Sequence, residues 1–185
     1  MNRALFLDRD GILNDLVYYD SSGEWESPRN LADLMLMPGI IEPLRAFANA
    51  GWLLFIITNQ PSYAKGKTSK EDLLEVEREI ERALPITRGY VCFHHPNAVL
   101  DELRVVCDCR KPGAQFLLEA AREYDLDLRA SWLVGDQDSD LACGKAAGCQ
   151  VALIEHPRSA HKRGDVEPDV RVNDLRALAT FLLGG

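Results

Sequence analysis

Residues 4–14 read ALFLDRDGILN: four apolar residues, two aspartates separated by an arginine, and then a glycine. The apolar run is continuous rather than alternating, as expected of a strand buried on both faces, and Gly11 permits a sharp turn just after it. Four more runs share this character: WLLFIIT (52–58), YVCF (90–93), SWLVGD (131–136) and QVALIE (150–155). Between them lie the helical patterns GIIEPLRAFANAG, SKEDLLEVEREIERAL, GAQFLLEAAREYDL and DSDLACGKAAG, and NDLRALATFLL follows the last run. Ser69 with Asp72 resembles a capping box, and Gly51 and Gly148 suit helix C-termini. Strand–helix alternation of this kind predicts an α/β fold, a doubly wound, mostly parallel sheet with helices on both faces. Residues 14–38 break the alternation and predict a hairpin or flap.

Ligands of such sheets bind at the carboxyl ends of the strands. Those ends carry Asp8-Arg9-Asp10, Thr58-Asn59-Gln60, the Cys92 segment and Gly135-Asp136, and should converge on one edge. Asp8 and Asp10 are two apart on an extended segment and so face the same side. One can act as nucleophile or metal ligand while the other exchanges protons, or the pair is simply an acidic turn. Asp136 adds a third carboxylate, a donor set for a hard cation such as Mg²⁺. Asp140 either tunes a metal shell or answers the helix dipole, and Asp138 reads as a helix cap. Thr58, with free backbone N–H groups, suits phosphate oxygens.

Residues 92–112, CFHHPNAVLDELRVVCDCRKP, hold three of the five cysteines and two of the four histidines. Cys92-x-His94 and Cys107-x-Cys109 supply three thiolates and an imidazole, enough for a closed, structural Zn²⁺ site. The alternatives are a reduced cluster without metal, or His95 in place of His94. Cys143 and Cys149 read as small apolar residues, and His156 and His161 as part of a polar loop.

The chain has 185 residues, is 46% hydrophobic and 27% charged, and carries a net charge of −8. This predicts one domain, residues 1–185, with a sizeable core, and argues against a nucleic-acid footprint. No apolar run approaches the ~20 residues of a membrane span, and the N-terminus lacks a signal-peptide core. The expectation is a cytoplasmic monomer with a small-molecule partner, in a compartment where thiols stay reduced.

DRDG, Thr58, Lys111 and GDQDSD, in that order and at those strand ends, resemble the four motifs of the haloacid dehalogenase (HAD) phosphohydrolases. FLDRDGILN, TNQ, KGK, CFHH…CDCRKP and VGD more closely resemble its heptose-bisphosphate and histidinol-phosphate phosphatase branch. The resemblance implies that Asp8 attacks phosphorus and that Asp10 protonates the leaving group and then activates water. It implies that Thr58, Asn59, Gln60, Arg110 and Lys111 bind phosphate or substrate, Arg110 taking the phosphate that is not cleaved. Mg²⁺ would lie on Asp8, Asp136 and the Asp10 carbonyl, and Zn²⁺ on Cys92, His94, Cys107 and Cys109. Hydrolysis of a heptose 1,7-bisphosphate at C7 is the implied reaction, with histidinol phosphate as the alternative substrate. Ile12, Pro61-Ser62 and Gln137 depart from the branch, which bears on substrate and anomer more than on reaction type. No long insertion separates the motifs, so no large cap domain is expected. Two other classes are an aspartate-phosphorylated receiver, which gives Asp10 no task, and a zinc interaction module, which leaves the strand-end residues unexplained.

Overall fold

The computed structural model describes residues 1–184. Six strands form one parallel sheet: β1 (Ala4–Leu7), β4 (Leu53–Asn59), β5 (Arg88–Cys92), β6 (Trp132–Gly135), β7 (Gln150–Ile154) and β8 (Val170–Val172). Their order across the sheet is β5-β4-β1-β6-β7-β8. The remaining strands, β2 (Val17–Tyr19) and β3 (Glu24–Glu26), pair antiparallel as a separate hairpin, the flap expected within 14–38. The other elements are helices α1 (Ile41–Asn49), α2 (Lys70–Ala83), α3 (Gln115–Tyr124), α4 (Asp138–Ala147) and α5 (Leu175–Leu183).

The continuous apolar runs follow from burial on both sheet faces. Leu5, Leu7, Leu54, Ile56, Trp132 and Val134 pack on one face with Leu44 and Phe47 of α1, Val76 and Ile80 of α2, and Leu175 and Leu178 of α5. Their strand neighbours Phe6, Phe55, Ile57, Leu133 and Val151 point the other way, against Leu117 and Ala120 of α3 and Leu141 of α4. Each fully buried side chain of this size contributes about 1.5–3 kcal/mol. Cys143 and Cys149 lie in the second core, as small apolar residues should.

Helix ends follow local chemistry. The Ser69 hydroxyl accepts from Asp72 N at 3.0 Å to start α2, and Gly51 and Gly148 take the left-handed conformation after α1 and α4. Asp138 does not cap α4. Gln137 is the cap, completing a capping box with Asp140, because Asp140 reaches back to the Gln137 amide. Strand β8 also lies outside the sequence expectation: it is three residues long and only part-buried at the sheet edge, too short for an apolar run to mark it. Pro157–Lys162 form a 3-10 helix where the sequence reads as a polar loop. No helix among the described residues is long and apolar enough to cross a membrane.

Candidate active site

Chain direction across the sheet reverses at β1, which pairs with β4 on one side and β6 on the other. That switch point leaves a crevice at the carboxyl ends of the strands. Asp8 leaves β1, Thr58 and Asn59 end β4, and Asp136 leaves β6, so the sequence-predicted residues meet there. A cavity of about 610 Å³ opens above them, with Asp8, Asp10, Asn59, Arg110, Lys111 and Asp136 among its lining residues.

Lys111 sits at the centre. Its ammonium lies 2.6 Å from Asp8 Oδ1 and 2.8 Å from Asp140 Oδ1, and donates to the Ile57 carbonyl at 2.8 Å. Asp8 Oδ1 also accepts from Arg9 N at 2.7 Å. Asp140 is wholly buried, and its Oδ2 accepts from the Asp136 and Gln137 amides, both at 3.2 Å. Close approach here requires glycine. A Cβ on Gly135 would fall 2.2 Å from Asp140 Cβ, and one on Gly11 would fall 2.6 Å from Asp136 Oδ2.

Oxygens of Asp8, Asp136 and Asp140 all lie within 4.8 Å of one another. Three buried carboxylates facing one ammonium leave a net negative charge. Burial, then Asp140, pushes Asp8 up to about 7 despite Lys111, and burial with Asp8 pushes Asp136 up to about 6. Asp136 Oδ1 is buried without a partner. Excess charge, a hard oxygen donor set and a spare carboxylate oxygen fit a divalent cation such as Mg²⁺. Asp140 spends its oxygens on Lys111 and two amides, which leaves the free donor capacity with Asp8 and Asp136.

Asp10 lies beside this cluster with its side chain fully engaged. Oδ1 accepts from Asn14 Nδ2 (2.9 Å) and from Arg9 Nε (3.3 Å) and Nη2 (3.2 Å). Oδ2 accepts from Gln60 Nε2 (2.6 Å) and Ser27 Oγ (2.9 Å). Burial opposes the charge, but Arg9 and these donors outweigh it and hold Asp10 below the ordinary carboxylate range. Gln60 is wholly buried and turns to Asp10 and to Thr58 Oγ1 (2.8 Å) rather than into the cavity. Asn59 braces Lys111 at both ends of its peptide unit: Oδ1 accepts from Lys111 N at 3.0 Å and Nδ2 donates to Lys111 O at 3.2 Å.

Cys92, His94, Cys107 and Cys109 form a second cluster. Cys109 Sγ lies 3.2 Å from both Cys92 Sγ and Cys107 Sγ, and 3.3 Å from His94 Nδ1. The Cys92–Cys107 sulfur separation is 3.7 Å. These spacings are far beyond a disulfide bond of about 2.05 Å, and they bring three thiols and an imidazole close enough to converge on one ion. Burial and adjacent sulfurs push the Cys109 thiol up, so a cation is what would relieve their crowding as thiolates. His95 is elsewhere, its Nδ1 accepting from Asn97 N at 3.0 Å. The cluster reaches the cavity through Arg110, whose Nη1 donates to the His94 carbonyl at 3.1 Å.

Ser27, Glu26 and Arg158 carry no signal in the sequence, whereas Lys65 and Lys67 read there either as an entrance to the phosphate site or as a solvated loop. Ser27 brings a flap hydroxyl to Asp10. Glu26 ties the flap to Lys67 (2.5 Å) and Arg29 (3.0 Å), so Lys67 is paired and only Lys65 of that loop is left facing the cavity without an ion partner. Arg158 ion-pairs with Asp15 at 2.6 Å and stacks on Trp25 at 3.7 Å. His156 is buried against Asp15 at 3.2 Å, while His161 lines the cavity wall.

A HAD-hydrolase-like family model matches residues 108–178. The D-glycero-beta-D-manno-heptose-1,7-bisphosphate 7-phosphatase of Rhodopseudomonas palustris is 36% identical over 150 residues, 78% of this chain and 79% of that one. The chain belongs to this HAD phosphatase family. The alpha-heptose counterpart from Burkholderia mallei is 32% identical, across 99% of this chain and 95% of its own. Among solved structures, the D,D-heptose 1,7-bisphosphate phosphatase of B. bronchiseptica, complexed with magnesium and phosphate, superposes with a TM-score of 0.80 at 27% identity. That match covers 98% of both chains. The parallel sheet is thus the HAD-type Rossmann fold, without a large cap, and the chain is a HAD-type phosphoric monoester hydrolase.

Proposed function

We propose that this HAD phosphatase removes the C7 phosphate of D-glycero-D-manno-heptose 1,7-bisphosphate through an aspartyl-phosphate on Asp8. The observation that carries the reading is Asp8 at the switch point, with Lys111 on one oxygen and the second carboxylate, Asp10, two residues away. Asp8 Oδ2 attacks phosphorus. Asp10 hands a proton to the departing C7 oxygen, then takes one from the water that hydrolyses the intermediate. Lys111 and Thr58 hold the phosphoryl oxygens where charge develops, and Asn59 and Gln60 keep Lys111 and Asp10 in place. Asp8, Asp136 and the Asp10 carbonyl would hold Mg²⁺, which when bound neutralises the charge shared by phosphate and carboxylates. Cys92, His94, Cys107 and Cys109 would hold a structural Zn²⁺, which requires reduced thiols and so a cytoplasmic setting.

Arg110 is anchored by one nitrogen, leaving the rest of its fork for the phosphate that stays on the sugar. Lys65 is close enough to Arg110 for each to repel the other's charge, and its own pKa is lowered, first by burial. Paired cations beside the scissile site favour a bisphosphate over histidinol phosphate, whose far end is cationic. We take the working unit to be a monomer acting on a small sugar phosphate, with residues 1–185 as one domain.

A phosphate-release panel with Mg²⁺ tests this, comparing both heptose 1,7-bisphosphate anomers with histidinol phosphate. The heptose bisphosphates should be preferred, and Asp8→Asn should abolish turnover with the fold retained. Preference for histidinol phosphate overturns the substrate. A stable phospho-Asp8 without turnover favours a receiver.

A further inference from the structure

Asp10 has five donors on its carboxylate, and they differ in kind. Arg9, Asn14 and Gln60 are wholly buried and belong to the β1 and β4 ends, the fixed floor of the site. Ser27 comes from the flap and lines the cavity. Guanidinium and amide NH₂ groups only donate, whereas a hydroxyl both donates and accepts. The proposed reaction needs Asp10 in two states, carboxylic acid and carboxylate. Of its five contacts, only Ser27 Oγ can both donate to the carboxylate and accept the Oδ2 proton of the acid.

The backbone around Ser27 is pinned on each side. Glu26 is held by Lys67, and Arg29 by Glu26 and by Thr68 Oγ1, which donates to the Arg29 carbonyl at 2.5 Å. Pro28 restricts Ser27 to extended backbone. A hydroxyl fixed in this way, 17 residues from Asp10 in sequence, sits at Oδ2 without having to be ordered each turnover.

We propose that Ser27 is a positioning residue for the acid/base carboxyl, and that docking of the β2–β3 flap on the 61–68 loop sets the orientation of Asp10. The inference rests on the reading of Asp10 as the acid/base. As the bond from phosphorus to the leaving oxygen breaks and the bond to Asp8 forms, the Oδ2 proton passes to the departing oxygen. Ser27 then donates to the carboxylate left behind. As water bonds phosphorus and Asp8 is released, the water proton returns to Oδ2. Ser27 accepts from that acid until the next leaving oxygen takes its place.

The test compares kcat/KM for the heptose bisphosphate, whose alkoxide must be protonated, with p-nitrophenyl phosphate, whose phenolate leaves unaided. Ser27→Ala should lower the first about tenfold, a share of the 10²–10⁴ that general acid–base catalysis supplies, and change the second less than about twofold. Ser27→Thr should restore the ratio, and Lys67→Met, which frees the flap, should shift it the same way as Ser27→Ala. Equal losses on both substrates, or no loss on either, overturn the role of Ser27. An unshifted ratio in Lys67→Met overturns the flap's part in it. Wild-type protein that releases phosphate from neither ester overturns the acid/base reading itself, a distinct result.

Discussion

Lys111 is 4% exposed and its ammonium touches two carboxylates and a carbonyl, so its removal strands charge rather than deleting one contact. Lys111→Met leaves Asp8, Asp136 and Asp140 facing each other without a cation. Breaking a buried pair in this way costs about 3–5 kcal/mol, and loss of a charge-stabilising donor costs about 10²–10³ in turnover. Metal-free Lys111→Met should therefore unfold at clearly lower urea, with part of the loss recovered by millimolar Mg²⁺ while turnover stays low. Equal urea midpoints for variant and wild type without metal would sink the assignment of Lys111 as the charge-balancing centre. Such residues were legible in the sequence because Asp8, Thr58 and Asp136 follow apolar runs directly and Lys111 follows a cysteine pair. Arg158 was not, because its partner Asp15 lies 143 residues away and no local pattern joins them. Asp140 reads in the sequence either as tuning a metal shell or as an acid of a helix first turn, and its ion pair with Lys111 is visible only in the fold.

At the scale of elements, the strands legible beforehand were those buried on both faces, while β8 and the Pro157–Lys162 turn were too short for a period to show. The loop from β5 to α3 is a different case, since ligand spacing rather than periodicity marks it. One route from it to the active site is short: Arg110 donates to the His94 carbonyl, and Lys111 is bracketed by Asn59. With the proposed zinc on this cluster, Cys107→Ser should lower zinc content below the one per chain expected of the wild type, measured by elemental analysis. It should also raise KM for the bisphosphate about tenfold, equivalent to roughly 1.4 kcal/mol of lost Arg110 positioning. The KM for p-nitrophenyl phosphate, with no second phosphate, should move less. Zinc loss with both KM values unchanged would separate the loop from substrate binding.

Across the whole molecule, a chain of net charge −8 gathers its buried charges into a few clusters, and one of them reaches from α2 to the strand ends of the candidate site. Arg9 is wholly buried and shared between Asp10 (3.2 Å) and Glu77 (3.3 Å). Gly89 leaves room for Glu77, since a Cβ there would lie 2.3 Å from Glu77 Oε1, an oxygen with no partner of its own. Burial pushes Glu77 up to about 7; Arg9 opposes the shift, and the charges of Glu81 and Asp10 add to it. With the folded value above the unfolded one, the native state binds the extra proton between about pH 4.5 and 7. Stability therefore falls as pH rises through that window, because ∂ΔG/∂pH takes the sign of protons bound unfolded minus folded. Relative to Glu77→Gln, wild-type stability should drop on the order of 1 kcal/mol between pH 5 and pH 8, read from urea midpoints at each pH. A wild type that instead gains on the variant as pH rises would mean that Arg9 outweighs burial and keeps Glu77 ionised. Arg9 would then be held by two full carboxylate charges, one of them on the residue proposed to give up a proton at the phosphate.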